Sequence, residues 1–196
     1  MENAFTAQKL ITKEVSLKVT DVRLLTAEEA ANVPVSLLDI HTPYSNNEWW
    51  LATSCKNPTR QMVVTHTGKV DIYGEDVGYA NGIRPVMVVS NLREAGLANG
   101  DEFRAGGEEW TVISDELALC NGCIGRAMFR SYKCLSDDRN EFIDSNNVRH
   151  PIVELNLYEL SNVKEELEYW KYELSGLGFV KEDEIPDRGS DDEYSL

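Results

Sequence analysis

Apolar and polar residues alternate through Val15, Leu17 and Val19, with Ser16 and Lys18 between them. A period of two predicts a half-buried strand, which Val22, Leu24 and Leu25 continue or bend onto the next element. Thr26-Ala27-Glu28-Glu29 has the form of a capping box, Thr26 at the N-cap and Glu29 three residues on. It predicts a short helix over Ala27–Asn32, with Pro34 just past its end. Trp49–Ser54 is a second strand. Met62–His66 and Lys69–Tyr73 form a hairpin, and Gly68 at its tip can take the positive φ such turns require. Ile83–Ser90 reads as one further strand. Pro85 cannot donate a ladder hydrogen bond, so that end is expected at an edge or a bulge. Phe103 opens a new β segment, Gly106-Gly107 turns it into Glu109–Ile113, and Leu117–Cys120 is the return strand. Residues 135–151 are polar and read as irregular. Ser161 is placed to cap one long helix with Val163, Leu167, Trp170 and Leu174 at 3–4 spacing, which Gly176 and Gly178 stop.

The chain has 196 residues, 42% of them hydrophobic, which suits one soluble domain with an extension. No apolar run approaches the roughly 18 residues that span a bilayer. The amino terminus lacks the basic patch and apolar run of a signal peptide, so a cytoplasmic location is expected. Charge changes the picture more. Nineteen basic against 34 acidic residues give −15. Such a surface repels nucleic-acid phosphates and anionic membranes and attracts basic proteins. Direct nucleic-acid binding is therefore not expected.

Leu24-Leu25-Thr26-Ala27-Glu28-Glu29-Ala30, then Trp49-Trp50-Leu51, a glycine-tipped hairpin and Gly82-Ile83-Arg84-Pro85-Val86 come in a fixed order. Over residues 14–90 this resembles a family of uncharacterised domains found in Firmicutes and in their phages and prophages. That family looks like a branch of the C-type-lectin-like superfamily, which also holds phage tropism determinants and formylglycine-generating enzymes. The Gly100–Phe103, Gly106-Gly107, Trp110–Ile113 and Leu117–Leu119 block resembles the hairpin that usually opens the domain, and here it follows the Gly-Ile-Arg-Pro strand. The resemblance implies an α+β, C-type-lectin-like fold with a mixed or antiparallel sheet, short helices and a C-terminal helix. It implies a permuted domain in which residues 100–120 pair beside Ile83–Ser90; two incomplete modules are the alternative. The expected organisation is a flexible arm over 1–13, the domain over 14–135, an irregular segment and helix over 136–178, and an acidic disordered tail over 179–196.

Candidate chemistry is sparse. Cys120-Asn121-Gly122-Cys123 is a CxxC, and Cys134 and His150 follow. Three thiols and an imidazole suit a structural zinc; ordinary reduced cysteines are the competing reading, and a redox role lacks its βαβ context. Trp49, Trp50 and Trp110 could stack a ligand, but adjacent strand residues point to opposite faces, which favours core packing. Arg84 is either a binding arginine or a buried fork tying carbonyls together; the resemblance favours the second. Asn46-Asn47-Glu48 offers no clear calcium set, and His41, His66 and His150 stand far apart with no nucleophile elbow. No catalytic constellation is present and no cofactor is implied beyond the possible zinc.

These readings point to a non-catalytic, protein-binding module of a phage or prophage. Trp49, Trp50, Gly82, Arg84 and Pro85 hold its scaffold, and loops 41–48, 55–61 and 74–82 display its recognition surface to an unidentified protein partner. Such a module would be virion-associated or stay in the host cytoplasm. The alternative is an acidic anti-defence, anti-CRISPR-like inhibitor whose tail and Glu165-Glu166…Glu168 run mimic nucleic acid.

Overall fold

A computed structural model describes residues 17–40, 48–130, 133–134, 141–144 and 146–176, side chains excepted at 133, 134, 169 and 172–176. The proposed arm over 1–13, the tail over 179–196 and loop residues 41–47 lie outside the described residues. The architecture is α+β: the described residues form two five-stranded sheets, one three-stranded sheet, two short α-helices and a longer α-helix after the last strand.

The first sheet runs β1 (Val19–Leu24), β6 (Pro85–Val89), β9 (Leu117–Cys120), β8 (Glu108–Val112), β7 (Glu102–Ala105). All its pairings are antiparallel. Residues 100–120 thus join the Gly-Ile-Arg-Pro strand directly, Val86 facing Leu119 and Val88 facing Leu117. The second sheet runs β10 (Gly125–Met128), β5 (Ala80–Ile83), β2 (Trp49–Ser54), β3 (Arg60–Val64), β4 (Val70–Asp76).

The expected single strand Ile83–Ser90 is in fact two. β5 ends at Ile83 in the second sheet, and β6 begins at Pro85 in the first. Arg84 is the joint. Pro85 has no N–H to give, so a ladder cannot continue through it, but it is tolerated as a strand's first residue. Pro85 therefore opens an interior strand, facing Leu24 on β1, instead of lying on an edge strand.

The helix expected over Ala27–Asn32 forms as α1 (Ala27–Ala31), and its capping box is complete: the Thr26 side chain accepts from the Glu29 amide and the Glu29 carboxylate accepts from the Thr26 amide. Pro34 then opens a further short helix, α2 (Val35–Leu38). The polar stretch expected to be irregular holds two strands, β12 (Glu141–Ile143) and β13 (Arg149–Pro151), which pair with each other and with β11 (Lys133–Cys134). Three-residue strands show little alternation. The long helix is α3 (Asn162–Gly176), where the Ser161 hydroxyl accepts from the Lys164 amide. Val163 and Leu167 are fully buried against the main core.

That core contains Val22, Leu24, Trp50, Met87, Trp110 and Phe129. A second cluster under α1 and α2 contains Leu25, Leu38, Trp49, Leu51, Val64, Val86 and Leu119. Met87 and Val86 belong to different clusters, as do Trp50 and Trp49. Strands β6 and β2 are thus buried on both faces, the usual state of interior strands in a layered fold.

Candidate recognition surface at the bulged edge of strand 4

The residues the sequence singled out first are core. Trp49 and Trp50 have no exposed surface. Trp50 donates its indole N–H to the Ala127 carbonyl at 2.8 Å and packs edge-on against Phe129, ring centroids 5.4 Å apart. Trp49 lies on the other face beneath Arg84, whose guanidinium carbon is 5.1 Å from its ring centroid. Arg84 is 2% exposed; its Nε donates to the Cys120 carbonyl at 2.7 Å and Nη1 to Leu38 O at 3.4 Å. Desolvation pulls its pKa down to about 10. This arginine ties α2, β9 and β2 together and offers nothing to solvent.

The CxxC forms the turn between β9 in the first sheet and β10 in the second. Burial pushes the Cys120 thiol up to about 12 and the Cys123 thiol up to about 11, and the Arg84 charge offsets only part of each. Thiols held this firmly protonated are poor nucleophiles. The Cys134 side chain lies outside the described residues. Among the described residues no three His, Cys, Asp or Glu side chains gather as a metal site.

Two other polar sites use their own groups internally. His150 stacks on Phe142 at 5.1 Å and lies between Asp144 and Glu154, 3.0 and 3.4 Å from their carboxylates. A cavity of about 640 Å³ opens between β1, β2 and α3, lined in part by Asp21, Arg23, Tyr158, Glu159, Lys164 and Lys171. Its cations are occupied: Arg23 pairs with Glu29 at 2.6 Å, Lys171 with Asp21 at 3.2 Å, and Lys164 with Glu159.

Loops 55–61 and 74–82 behave differently. Hydrogen bonds tie them together at the β3–β4 edge. The Asn156 amide donates to the carbonyls of Cys55, Asn57 and Arg60 at 2.8–3.1 Å, fixing the first loop from behind. Arg60 Nε reaches the carbonyls of Tyr73 and Gly74, each at 2.9 Å. The Val77 amide donates to Thr59 O at 3.0 Å, and Asp76 Oδ1 accepts from the Gly78 amide at 2.8 Å.

Within this frame β4 carries a bulge. Val63 faces Asp71 and Gln61 faces Glu75, so β3 has only Met62 where β4 has Ile72, Tyr73 and Gly74. Gly74 takes φ +61°, a conformation open to glycine. Its missing side chain lets the chain close onto β3, since a Cβ there would stand 2.1 Å from Gln61 O. Asp71 Oδ1 accepts from the Tyr73 amide at 2.8 Å and Cys55 Sγ donates to Ile72 O at 3.3 Å, so the bulged backbone is held in place. A bulge on an edge strand turns side chains outward and spoils the flat template for strand addition. Here it leaves Ile72 58% and Tyr73 78% exposed, and Tyr79, six residues on and at most about 20 Å along the chain, 64% exposed.

Loop 74–82 is among the expected recognition segments, whereas the sequence pattern makes Ile72 and Tyr73 ordinary hairpin residues. An isolated glycine inside a strand pattern is the signal that could have marked them, because it is the usual sign of a bulge.

Comparison with protein-family models, with curated proteins and with solved structures finds no match to this chain.

Proposed function

We propose that this chain is a non-catalytic protein-binding module, and that its recognition surface is the bulged edge of β4 with the turn that follows. One observation carries the reading. Ile72 and Tyr73 are large apolar side chains turned to solvent by a backbone anchored at several points, a costly arrangement if nothing covers them. Tyrosines on rigid supports are favoured contact residues because they offer much surface for little lost conformational freedom. In line with the resemblance, the module belongs to a phage or a prophage-bearing bacterium, and its lectin-like sheets act as scaffold. No catalytic group is assigned.

The competing reading, an acidic mimic of nucleic acid, draws on the charge of −15. Cations flank its acidic run: Lys164, just before it, pairs with Glu159, and Lys171, just after it, stands 3.9 Å from the Glu168 carboxylate. The exposed apolar edge has no role in that reading.

A photo-reactive phenylalanine introduced at Tyr73, with another at exposed Val153 as control, tests the proposal in cells. A discrete protein adduct from position 73 is expected, absent from position 153 and absent when Ile72→Ser is added. Equal adducts at both positions, or none at 73, overturn it.

A further inference from the structure

Resting on that binding reading, we infer the chemistry of the partner: an extended, cationic protein segment carrying Lys or Arg on either side of an apolar residue. The apolar residue packs on Ile72 and Tyr73, and its basic neighbours meet Asp71, Glu75 and Asp76.

The argument begins with charge placement. Between Lys69 and the buried Arg84, the chain carries three carboxylates, Asp71, Glu75 and Asp76, and no cation. All three flank the exposed pair. Glu48 stands close enough to feel them: burial raises its carboxyl, and the negative charges of Glu75 and Asp71 raise it further. The nearby cation Arg60 has its guanidinium on the Tyr73 and Gly74 carbonyls. Lys69, just before the strand, and Lys56, next to Cys55, are exposed. Four carboxylates, Glu48, Asp71, Glu75 and Asp76, thus stand against three cations, Lys56, Arg60 and Lys69, so the edge is an apolar strip whose flanks are net negative by one charge.

Charge then eliminates other occupants. Phosphate backbones and anionic lipid surfaces are repelled. A second copy meeting edge to edge would set Asp71, Glu75 and Asp76 of one chain against the same carboxylates of the other, in chains that each carry −15. Two chains so charged also repel at long range, a cost that a basic segment does not meet. A basic segment gains instead from both surfaces: apolar burial on Tyr73 and Ile72, and favourable pairs at the rim that speed association. Because the bulge disrupts the ladder, side chains of β4 do the recognising, not added backbone hydrogen bonds.

The test is selection of a random peptide display library on the full chain, followed by titration of the enriched peptides against variants. Enriched peptides should carry at least two Lys or Arg around an apolar residue. Ile72→Ser/Tyr73→Ser, which leaves charge unchanged, should weaken them about thirtyfold. Glu75→Lys should weaken them about tenfold and flatten the salt dependence. Glu75 is chosen because Asp71 and Asp76 hold the bulge and the following turn. Acidic or neutral consensus peptides, no enrichment, or a concentration-dependent dimer lost on Tyr73→Ser each overturn the inferred partner. If the Tyr73 adduct in cells survives such a result, the binding module stands and only its partner class falls; if the adduct is also missing, both fall.

Discussion

The Sγ of Cys123 fills the space that a Cβ on Gly82 would need, only 2.5 Å from that position. The Glu48 carbonyl and the Trp49 Cβ close the remaining sides at 3.2 Å. Gly82 thus stands at the contact between β2, β5 and the CxxC turn, where Trp49 faces it across the one parallel pairing of the sheet.

Gly82→Ala should therefore destabilise the chain by about 1–3 kcal/mol through overpacking. Cys123 is a short side chain on a tight turn and cannot swing far, so removing its sulfur is the remedy. Cys123→Ala in the Gly82→Ala background should recover most of the loss. Urea denaturation of the four members of this cycle gives the coupling directly. Gly122→Ala is the control: nothing lies within 4 Å of that Cβ, so its effect should stay within about 0.5 kcal/mol.

The same turn predicts how the thiols react. Cys120 and Cys123 are pushed up to about 12 and about 11 by burial, so at pH 8 almost no thiolate is present in the folded chain. Alkylation of Cys120 by iodoacetamide should follow unfolding, slowing as stability rises and becoming rapid in denaturant. The Arg84 cation lies beside both sulfurs and opposes a second positive charge there. Purified protein should accordingly hold far less than one zinc per chain by mass spectrometry of its metals, and chelation should leave its urea midpoint unchanged. Stoichiometric zinc with a lowered midpoint after chelation would restore the metal reading.

Local signals were legible in the sequence and sheet membership was not. Thr26 and Glu29 lie three residues apart, and everything the capping box needs is inside that span. Gly68 at the hairpin tip is equally local and takes φ +72°. By contrast, Ile83-Arg84-Pro85-Val86 reads as one apolar strand, because nothing within it states that its halves pair with different sheets. Period-two alternation places Trp49 and Trp50 on opposite faces; that both faces are covered follows only from β2 lying inside its sheet, with α1 and α2 on one side and the main core on the other. The proposed recognition surface is half legible. Its loop is marked by Gly74, Gly78 and Gly82, whereas the residues that project are apolar and lie just before it.

The α1 terminus should respond to acid. Burial raises the Glu29 carboxyl, but the Arg23 guanidinium, the Thr26 amide and the Thr26 hydroxyl together outweigh it and hold the pKa below the ordinary carboxylate value. A group depressed on folding stabilises above its unfolded pKa, and that contribution is lost as pH falls through the folded value. Glu29→Gln should cost about 0.5–1 kcal/mol at pH 7, a modest figure because both partners are about a quarter exposed. The cost should shrink as pH falls below the ordinary carboxylate value and through the lower folded one. Thr26→Ala should cost about 1 kcal/mol. A Glu29→Gln penalty that does not fall at all as the protein is acidified to its acid-unfolding transition would remove the ionised carboxylate from the account.

Gly74 makes the sharpest contrast with Gly82. At Gly82 the obstacle is a cysteine sulfur, and a second substitution can remove it. At Gly74 a Cβ would meet Gln61 O at 2.1 Å and its carbonyl carbon at 2.5 Å, with Cys55 Sγ only the third neighbour at 2.7 Å. The obstacle is backbone, and φ +61° adds about 1–2 kcal/mol for any L side chain. Gly74→Ala should therefore cost more than Gly82→Ala, and Cys55→Ala should not rescue it. The only relief is for β4 to move away from β3, which draws the Tyr73 carbonyl out of the grip of Arg60. Peptide binding at this edge should then fall further than the stability loss alone explains, measured where the folded fraction is still above nine-tenths by near-ultraviolet circular dichroism. If Gly74→Ala binds as the wild type does, the bulge is a device against edge pairing and the presentation of Tyr73 does not depend on it.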